Sequence, residues 1–336
     1  MLSIGDQLVA KNEMKLTKFK LMAVALAFSG NAFGQATSDV VGYETLSIGE
    51  GFNVVGLRLH EKPVASGTFE AVTDTSAQDE GADLSAISGA GTFILEIQDG
   101  SGVIQEITAA SITGDTIAVA DLSGVANGVA YTVRPSDTLA SVFGLNGEAL
   151  TAGFFGPAGA DQIQLFNGVS FDSFYFDSGS GAWQDVAAPF GAAIDPLTID
   201  LVYVDGIVIN GAGDSEILVS GDLKADTSEL TLIPGANFVS SVSPVGQTLL
   251  TAYGADAPEL AQGFFGPAGA DQIQIFNGVS FDSFYYDSGS VAWQDVTAPF
   301  GAAIDPATID LPSGYVINAA AASSVTQGIP AFFAGL

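Results

Sequence analysis

The chain has 336 residues, 48% of them apolar and 14% charged, with 38 acidic side chains against eight basic ones, one histidine and a formal charge of −30. That apolar content excludes disorder over most of the length, and the 41 glycines follow no period of three, which excludes a collagen-like chain. The charge repels nucleic-acid phosphates and anionic lipid, and the absence of cysteine excludes disulfides, thiol catalysis, zinc–thiolate sites and iron–sulfur clusters.

Residues 1–36 read as a secretory signal peptide. Lys15, Lys18 and Lys20 precede an apolar run from Leu21 to Phe28, and the small residues Ser29, Gly30, Ala32, Gly34 and Ala36 follow. The run is too short to cross a bilayer as a helix. Met14 stands directly before the basic cluster, so starts at Met1 and at Met14 both fit, as do cleavages after Gly34 and after Ala36. The expectation is a secreted or cell-surface protein without membrane insertion, since the C-terminal "GIPAFFAGL" has no hydrophobic span followed by basic residues. Beyond the leader, four cations (Arg58, Lys62, Arg134, Lys224) face 36 carboxylates, a formal charge of −32. Such a surface keeps a protein soluble in a salty medium.

Short runs rich in Thr, Val, Ile and Phe, punctuated by Gly, Asp, Asn and Ser, predict an all-β chain. A first β module is expected over 37–222, with a small barrel-like β domain inserted at about 63–135. Within the insertion, "TFILEIQ" from 92, "GVIQEIT" from 102, "DTIAVA" from 115 and "VAYTVRP" from 129 are its strands. A short helix is predicted from Ser136, its candidate cap, to Phe143, and another from Gln247 to Tyr253. Residues 153–196 and 263–306 are the same sequence with four exceptions: Leu165/Ile275, Phe176/Tyr286, Gly181/Val291 and Ala187/Thr297. Each copy predicts a three-stranded meander, with Asn167-Gly168 and Asn277-Gly278 as two-residue hairpin turns. "LSIGEGFNVVGL" from Leu46 echoes "LIPGANFVSSV" from Leu232, so a second module is expected over 223–336, and both modules are sandwich-like or meander in form.

"DVVGYETLSIGEGFNVVGLRLH" behind a signal peptide, together with "FGPAGADQIQIFNGVSFDSFYYD", resembles an uncharacterised paralogous family of secreted β-rich proteins from Verrucomicrobia-like bacteria. The resemblance covers the mature chain, including the insertion ending in "YTVRPSDTLASVFG", and implies export and paralogous expansion without an assigned activity.

The residues speak against catalysis. His60 is the only histidine, at the end of a strand-like stretch and with no nucleophile elbow in the chain. Paired carboxylates such as Asp172, Asp177 and Asp185, recurring as Asp282, Asp287 and Asp295, fit turn chemistry better than a duplicated active site. Calcium is the one cofactor left open, with Asp172, Asp177, Asp282 and Asp287 as candidate ligands, although no EF-hand loop or calcium-binding nonapeptide is present. Aromatics lie on both faces of the meander: Phe174 and Phe176 on one, Phe171 and Tyr175 on the other. One face is expected to be core, and Tyr175, Trp183, Tyr285 and Trp293 are the candidate ligand-binding residues if the other is an exposed platform. The leading expectation is a non-enzymatic structural or adhesive surface protein that associates with itself or with cell-envelope components. Glycan binding by the duplicated aromatic hairpins is the alternative.

Overall fold

The computed structural model describes residues 41–328, apart from Ser85, Ala86, Ala90, Ala225 and Pro244. The leader and the C-terminal "IPAFFAGL" lie outside the described residues. Strand alternation is visible at once in β1 (Val41–Ile48), where Leu46 and Ile48 are buried while Tyr43, Thr45 and Ser47 face out. β2 (Gly51–Val55) and β3 (Leu59–His60) follow.

The insertion then supplies eight strands: β4 (Ala65–Phe69), β5 (Ala71–Thr73), β6 (Ser76–Gln78), β7 (Thr92–Ile97), β8 (Ile104–Thr108), β9 (Ile112–Thr113), β10 (Thr116–Ala118) and β11 (Val129–Pro135). They form two four-stranded antiparallel sheets, ordered β4-β11-β7-β8 and β5-β6-β10-β9, around a core in which Phe69 and Tyr131 stack at 3.9 Å. The expected barrel does not close. β5, β6, β9 and β10 have only two or three residues each, too few to carry one ladder around, so the two layers bury their apolar faces against each other instead.

The first module resumes with β12 (Asp137–Thr138), helix α1 (Leu139–Phe143), the meander β13 (Gln162–Phe166), β14 (Phe171–Asp177) and β15 (Ala182–Asp185), then β16 (Asp200–Leu201), β17 (Ile207–Gly211) and β18 (Ser215–Leu223). A five-stranded sheet, β15-β14-β13-β17-β2, and a three-stranded sheet, β1-β18-β3, enclose one core with α1. The second module repeats the plan with β19 (Ser228–Leu232), β20 (Gly235–Ser240), β21 (Gln247–Thr248), α2 (Leu249–Tyr253), β22 (Gln272–Phe276), β23 (Phe281–Asp287), β24 (Ala292–Asp295), β25 (Asp310–Leu311), β26 (Gly314–Ala319) and β27 (Ser323–Gln327). Its five-stranded sheet runs β20-β26-β22-β23-β24 and packs with β19 and β27 around a second core.

Local chemistry fixes the details. Both helices are capped by a threonine rather than by Ser136: Thr138 and Thr248 accept from the backbone N–H of Ser141 and Thr251, three residues on. Ser136 instead donates to the Leu201 carbonyl at 3.2 Å. The hairpin turn is shifted by one residue from the expected Asn-Gly. Asn167 pairs with Ser170, leaving Gly168-Val169 as the turn, and Gly168 alone has positive φ (91°), as a II′ hairpin requires at its first central position. The Asn167 side chain wins this register because its Oδ1 accepts from both Val169 N and Ser170 N, at 3.2 and 2.9 Å. Asn53 and Asn237 are matched pins. Each donates its amide to three carbonyls, Gly49, Gly51 and Ile209 in one case and Ile233, Gly235 and Ile317 in the other.

These matched asparagines align β2 with β20 and β17 with β26, and the alignment exposes a pseudo-two-fold relation. Gly206 of the first module lies against the backbone of Val239 in the second, while its equivalent Gly314 lies against Val55, the equivalent of Val239. A Cβ on either glycine would come within 3 Å of that backbone, so only glycine permits the approach. Gly206 N donates to Phe238 O at 2.9 Å, Ser240 N to Val204 O at 2.9 Å and Gly56 N to Ser313 Oγ at 3.3 Å. On either side sits a phenylalanine cluster: Phe238 against Phe166 and Phe171, and Phe52 against Phe276 and Phe281. The two modules thus meet as the halves of an isologous dimer joined in one chain.

Candidate functional site

The aromatic residues expected to form a platform are buried. Trp183 and Trp293 are each 1% exposed because they sit on the core face of β15 and β24, edge-on to Phe176 and Tyr286 at 6.2 and 6.1 Å. Their indole N–H groups are satisfied internally, by Gly144 and Leu145 carbonyls for Trp183 and by the Gly254 carbonyl for Trp293. Tyr175 and Tyr285 are fully buried on the opposite face, and their hydroxyls donate to the carbonyls of Pro189 and Pro299 at 3.4 Å. None of the four offers a face to a ligand.

Two of the candidate metal ligands, Asp177 and Asp287, serve the backbone. Asp177 Oδ1 accepts from Phe155 N at 2.7 Å and Gly179 N at 3.1 Å, and Asp287 repeats this with Phe265 N and Gly289 N at 2.8 and 3.1 Å. Desolvation raises both carboxyls, but these backbone donors and the neighbouring serine outweigh it and hold them below the usual range. Asp172 and Asp282 are exposed and accept from the amides of Asn167 and Asn277 at 3.3 and 3.0 Å. Asp172 and Asp177 stand five residues apart on one strand, roughly 16 Å, too far to share an ion. Among the described residues no group of three or more His, Asp or Glu is placed to hold a metal.

The aromatic residue exposed in duplicate is phenylalanine. Phe154 and Phe264 are 73% and 72% exposed, Phe190 and Phe300 80% and 81%. Phe155 and Phe265, each 59% exposed, hold φ at 54°, a left-handed conformation that costs a non-glycine residue roughly 1–2 kcal/mol. The loop maintains this in both copies. Gly153 is laced to the end of β14, its N–H donating to Phe176 O at 2.8 Å and its carbonyl accepting from Ser178 N at 2.9 Å and Ser178 Oγ at 2.6 Å. Asp177 fixes the Phe155 amide, and the Phe155 ring lies on Gly179, where a Cβ would stand 3.0 Å from it. Phe154 then meets Phe155 edge-on at 4.6 Å, and the second copy repeats the pair at the same distance.

Tyr175 joins this loop to the one carrying Phe190. Its ring lies directly under Gly153, where a Cβ would meet it at 3.0 Å, and its hydroxyl reaches Pro189 O. Cross-strand from Tyr175 is Gln184, buried, with its Oε1 accepting no hydrogen bond; Gln294 Oε1 beside Tyr285 is the same. Each repeat therefore presents three phenylalanines over a buried tyrosine and a buried acceptor without a donor. The sequence signal was "GFFGPAG" itself. Adjacent residues of a strand face opposite ways, and a Phe pair between glycines has no regular element to carry it inward.

A second cluster lies inside, where the insertion and both modules meet. Glu96 Oε1 accepts from Arg134 Nε (2.9 Å) and the Tyr203 hydroxyl (2.8 Å) and lies 3.6 Å from Lys224 Nζ; Oε2 accepts from Thr132 (2.6 Å) and Arg134 (3.1 Å). Desolvation works to raise the Glu96 carboxyl, but Lys224 and Arg134 hold it down at about 2. His60 packs on Tyr203 at 4.5 Å, 1% exposed, with neither ring nitrogen hydrogen-bonded. Burial, then the nearby Arg134 charge, pushes it down to about 3, so it stays neutral at ordinary pH. This cluster is a clasp around the linker at Lys224, not a site open to a ligand. A cleft of about 180 Å³ nearby is lined by Glu106, Asp205 and Glu229. Asp205 is exposed at the cleft's rim, and the protein packed around it, with the charge of Glu106, pushes its carboxyl above the usual range.

No helix among the described residues is long and apolar enough to cross a membrane. Comparison with protein-family models, with curated proteins and with solved structures finds no match to this chain.

Proposed function

We propose that the chain is an exported structural or adhesive surface protein, without catalytic activity, whose two repeats each present an apolar contact loop. The observation that carries this reading is the duplicated exposure of Phe154, Phe155 and Phe190 and of Phe264, Phe265 and Phe300. Two backbone conformations that L-residues rarely adopt are kept at Phe155 and Phe265 to hold the loops in that form. Clustered exposed aromatics on a soluble surface are costly in solubility, and their natural use is contact with another surface. The leader-like segment supports export, and the resemblance to a secreted paralogous family agrees with it.

The test is a bead assay with the full chain. Beads coated with the wild-type protein should cluster or capture cell-envelope fragments, and beads coated with the Phe154→Ser, Phe190→Ser, Phe264→Ser, Phe300→Ser variant should do neither. Equal behaviour of the two coatings would overturn the reading. These four side chains are the most exposed of the six, so the fold should survive their replacement, which far-UV circular dichroism checks.

A further inference from the structure

We infer that each repeat carries one binding site for a cationic polypeptide segment with apolar side chains, the first at Phe154, Phe155 and Phe190 and the second at Phe264, Phe265 and Phe300. The inference rests on the adhesive reading above and names its partner. Two observations select that chemistry. First, the aromatic groups that each repeat displays are all phenylalanine, with the Phe154/Phe155 and Phe264/Phe265 pairs edge-to-face, and they offer no polar edge to meet sugar hydroxyls and no flat platform for a pyranose ring. Apolar side chains are what such a surface takes up.

Second, the surface field is negative with little relief. Of the four cations beyond the leader, Arg58 pairs with Glu44 at 3.3 Å, and Arg134 and Lys224 are buried around Glu96. A second copy of this chain, an anionic lipid or an acidic peptide would all approach against that field, whereas a basic segment is drawn in. The pseudo-two-fold relation holds two such sites at a fixed separation on one molecule. A partner with repeated basic-apolar segments would then gain avidity without any new contact.

The experiment titrates the full chain by calorimetry, at physiological salt, with three synthetic peptides of equal length, composed of Leu and Lys, of Ser and Lys, or of Leu and Glu. The Leu/Lys peptide should bind at two equivalent sites. The Phe154→Ser/Phe190→Ser variant and the Phe264→Ser/Phe300→Ser variant should each retain one site, and the fourfold variant should lose at least about tenfold in affinity. Equal binding of the Ser/Lys peptide, preference for the Leu/Glu peptide, a single site in the wild type, or unchanged binding by the fourfold variant would each overturn the inference. If bead clustering depends on the phenylalanines while the Leu/Lys peptide does not bind, the adhesive reading stands and the cationic partner falls.

Discussion

Val291 offers an internally controlled test of backbone strain, because the chain contains the same turn with glycine. Gly181 and Val291 are equivalent positions at φ 68° and 55°, one of the four differences between the repeats. The left-handed conformation costs a residue with a Cβ roughly 1–2 kcal/mol, and more for a β-branched one. Glycine gives back about 0.5–1 kcal/mol of that through the greater entropy of its unfolded chain. Val291 is 74% exposed, so deleting its side chain forfeits little burial. Val291→Gly should therefore stabilise the second module by about 0.5–1 kcal/mol, and Gly181→Val should destabilise the first by about the same amount. Scanning calorimetry of the two single variants and the double exchange reads this out as Tm shifts of roughly 1–4 °C, opposite in sign. The double exchange should sum the two single effects to within about 0.5 kcal/mol, since the turns lie in separate modules. A neutral or destabilising Val291→Gly, or a Gly181→Val without cost, would refute the strain argument.

Two further outcomes follow from the interior. His60 sits at about 3 when folded against an ordinary 6.5, so the unfolded chain takes up a proton that the folded one refuses. That contribution is intact above pH 6.5 and is lost as pH falls toward 3, costing about 2 kcal/mol between pH 7 and pH 5. Urea unfolding at the two pH values should show this loss in the wild type and a smaller one in His60→Leu; equal losses would remove His60 from the account. At the module seam, Gly206→Ala and Gly314→Ala each drive a Cβ to within 3 Å of the backbone of Val239 or Val55. Each should cost about 1–3 kcal/mol, read as a lower unfolding midpoint, whereas Gly213→Ala, which has open space, should not.

The fold class was legible because strand period and turn residues are local signals, and the repeat made the meander count itself. The helix positions were legible too, but their caps were not. Ser136 and Thr138 both suit a cap, and the choice fell to Thr138 because Ser141 stands three residues beyond it and returns the bond. The Asn-Gly turn was misplaced by one residue because the Asn167 side chain competes for the turn amides, which a dipeptide rule does not weigh. For the candidate site the order of importance was reversed. Trp183 is large and polar-tipped and draws attention in a sequence, yet those properties make it the best filler of a core that offers its N–H two carbonyls. Phe154 and Phe155 look like core residues by composition, and only their irregular backbone places them outside. The Glu96 clasp draws on Thr132, Arg134, Tyr203 and Lys224 from distant parts of the chain, which no single-sequence pattern brings together.

The near-identity of the two meanders also bears on how the chain reaches its folded state. β17 pairs with β13, and β26 pairs with β22, but β13 and β22 differ only at Leu165 and Ile275, so ladder pairing alone cannot tell the right partner from the wrong one. Discrimination falls to parts outside the repeat: the register pins at Asn53 and Asn237, the order along the chain, and the insertion that only the first half possesses. Synthesis from the N-terminus lets the first half close before its twin emerges, whereas refolding from denaturant presents both at once. Crossed pairing is then a kinetic trap specific to the test tube, and yields should rise when the first half is given a head start.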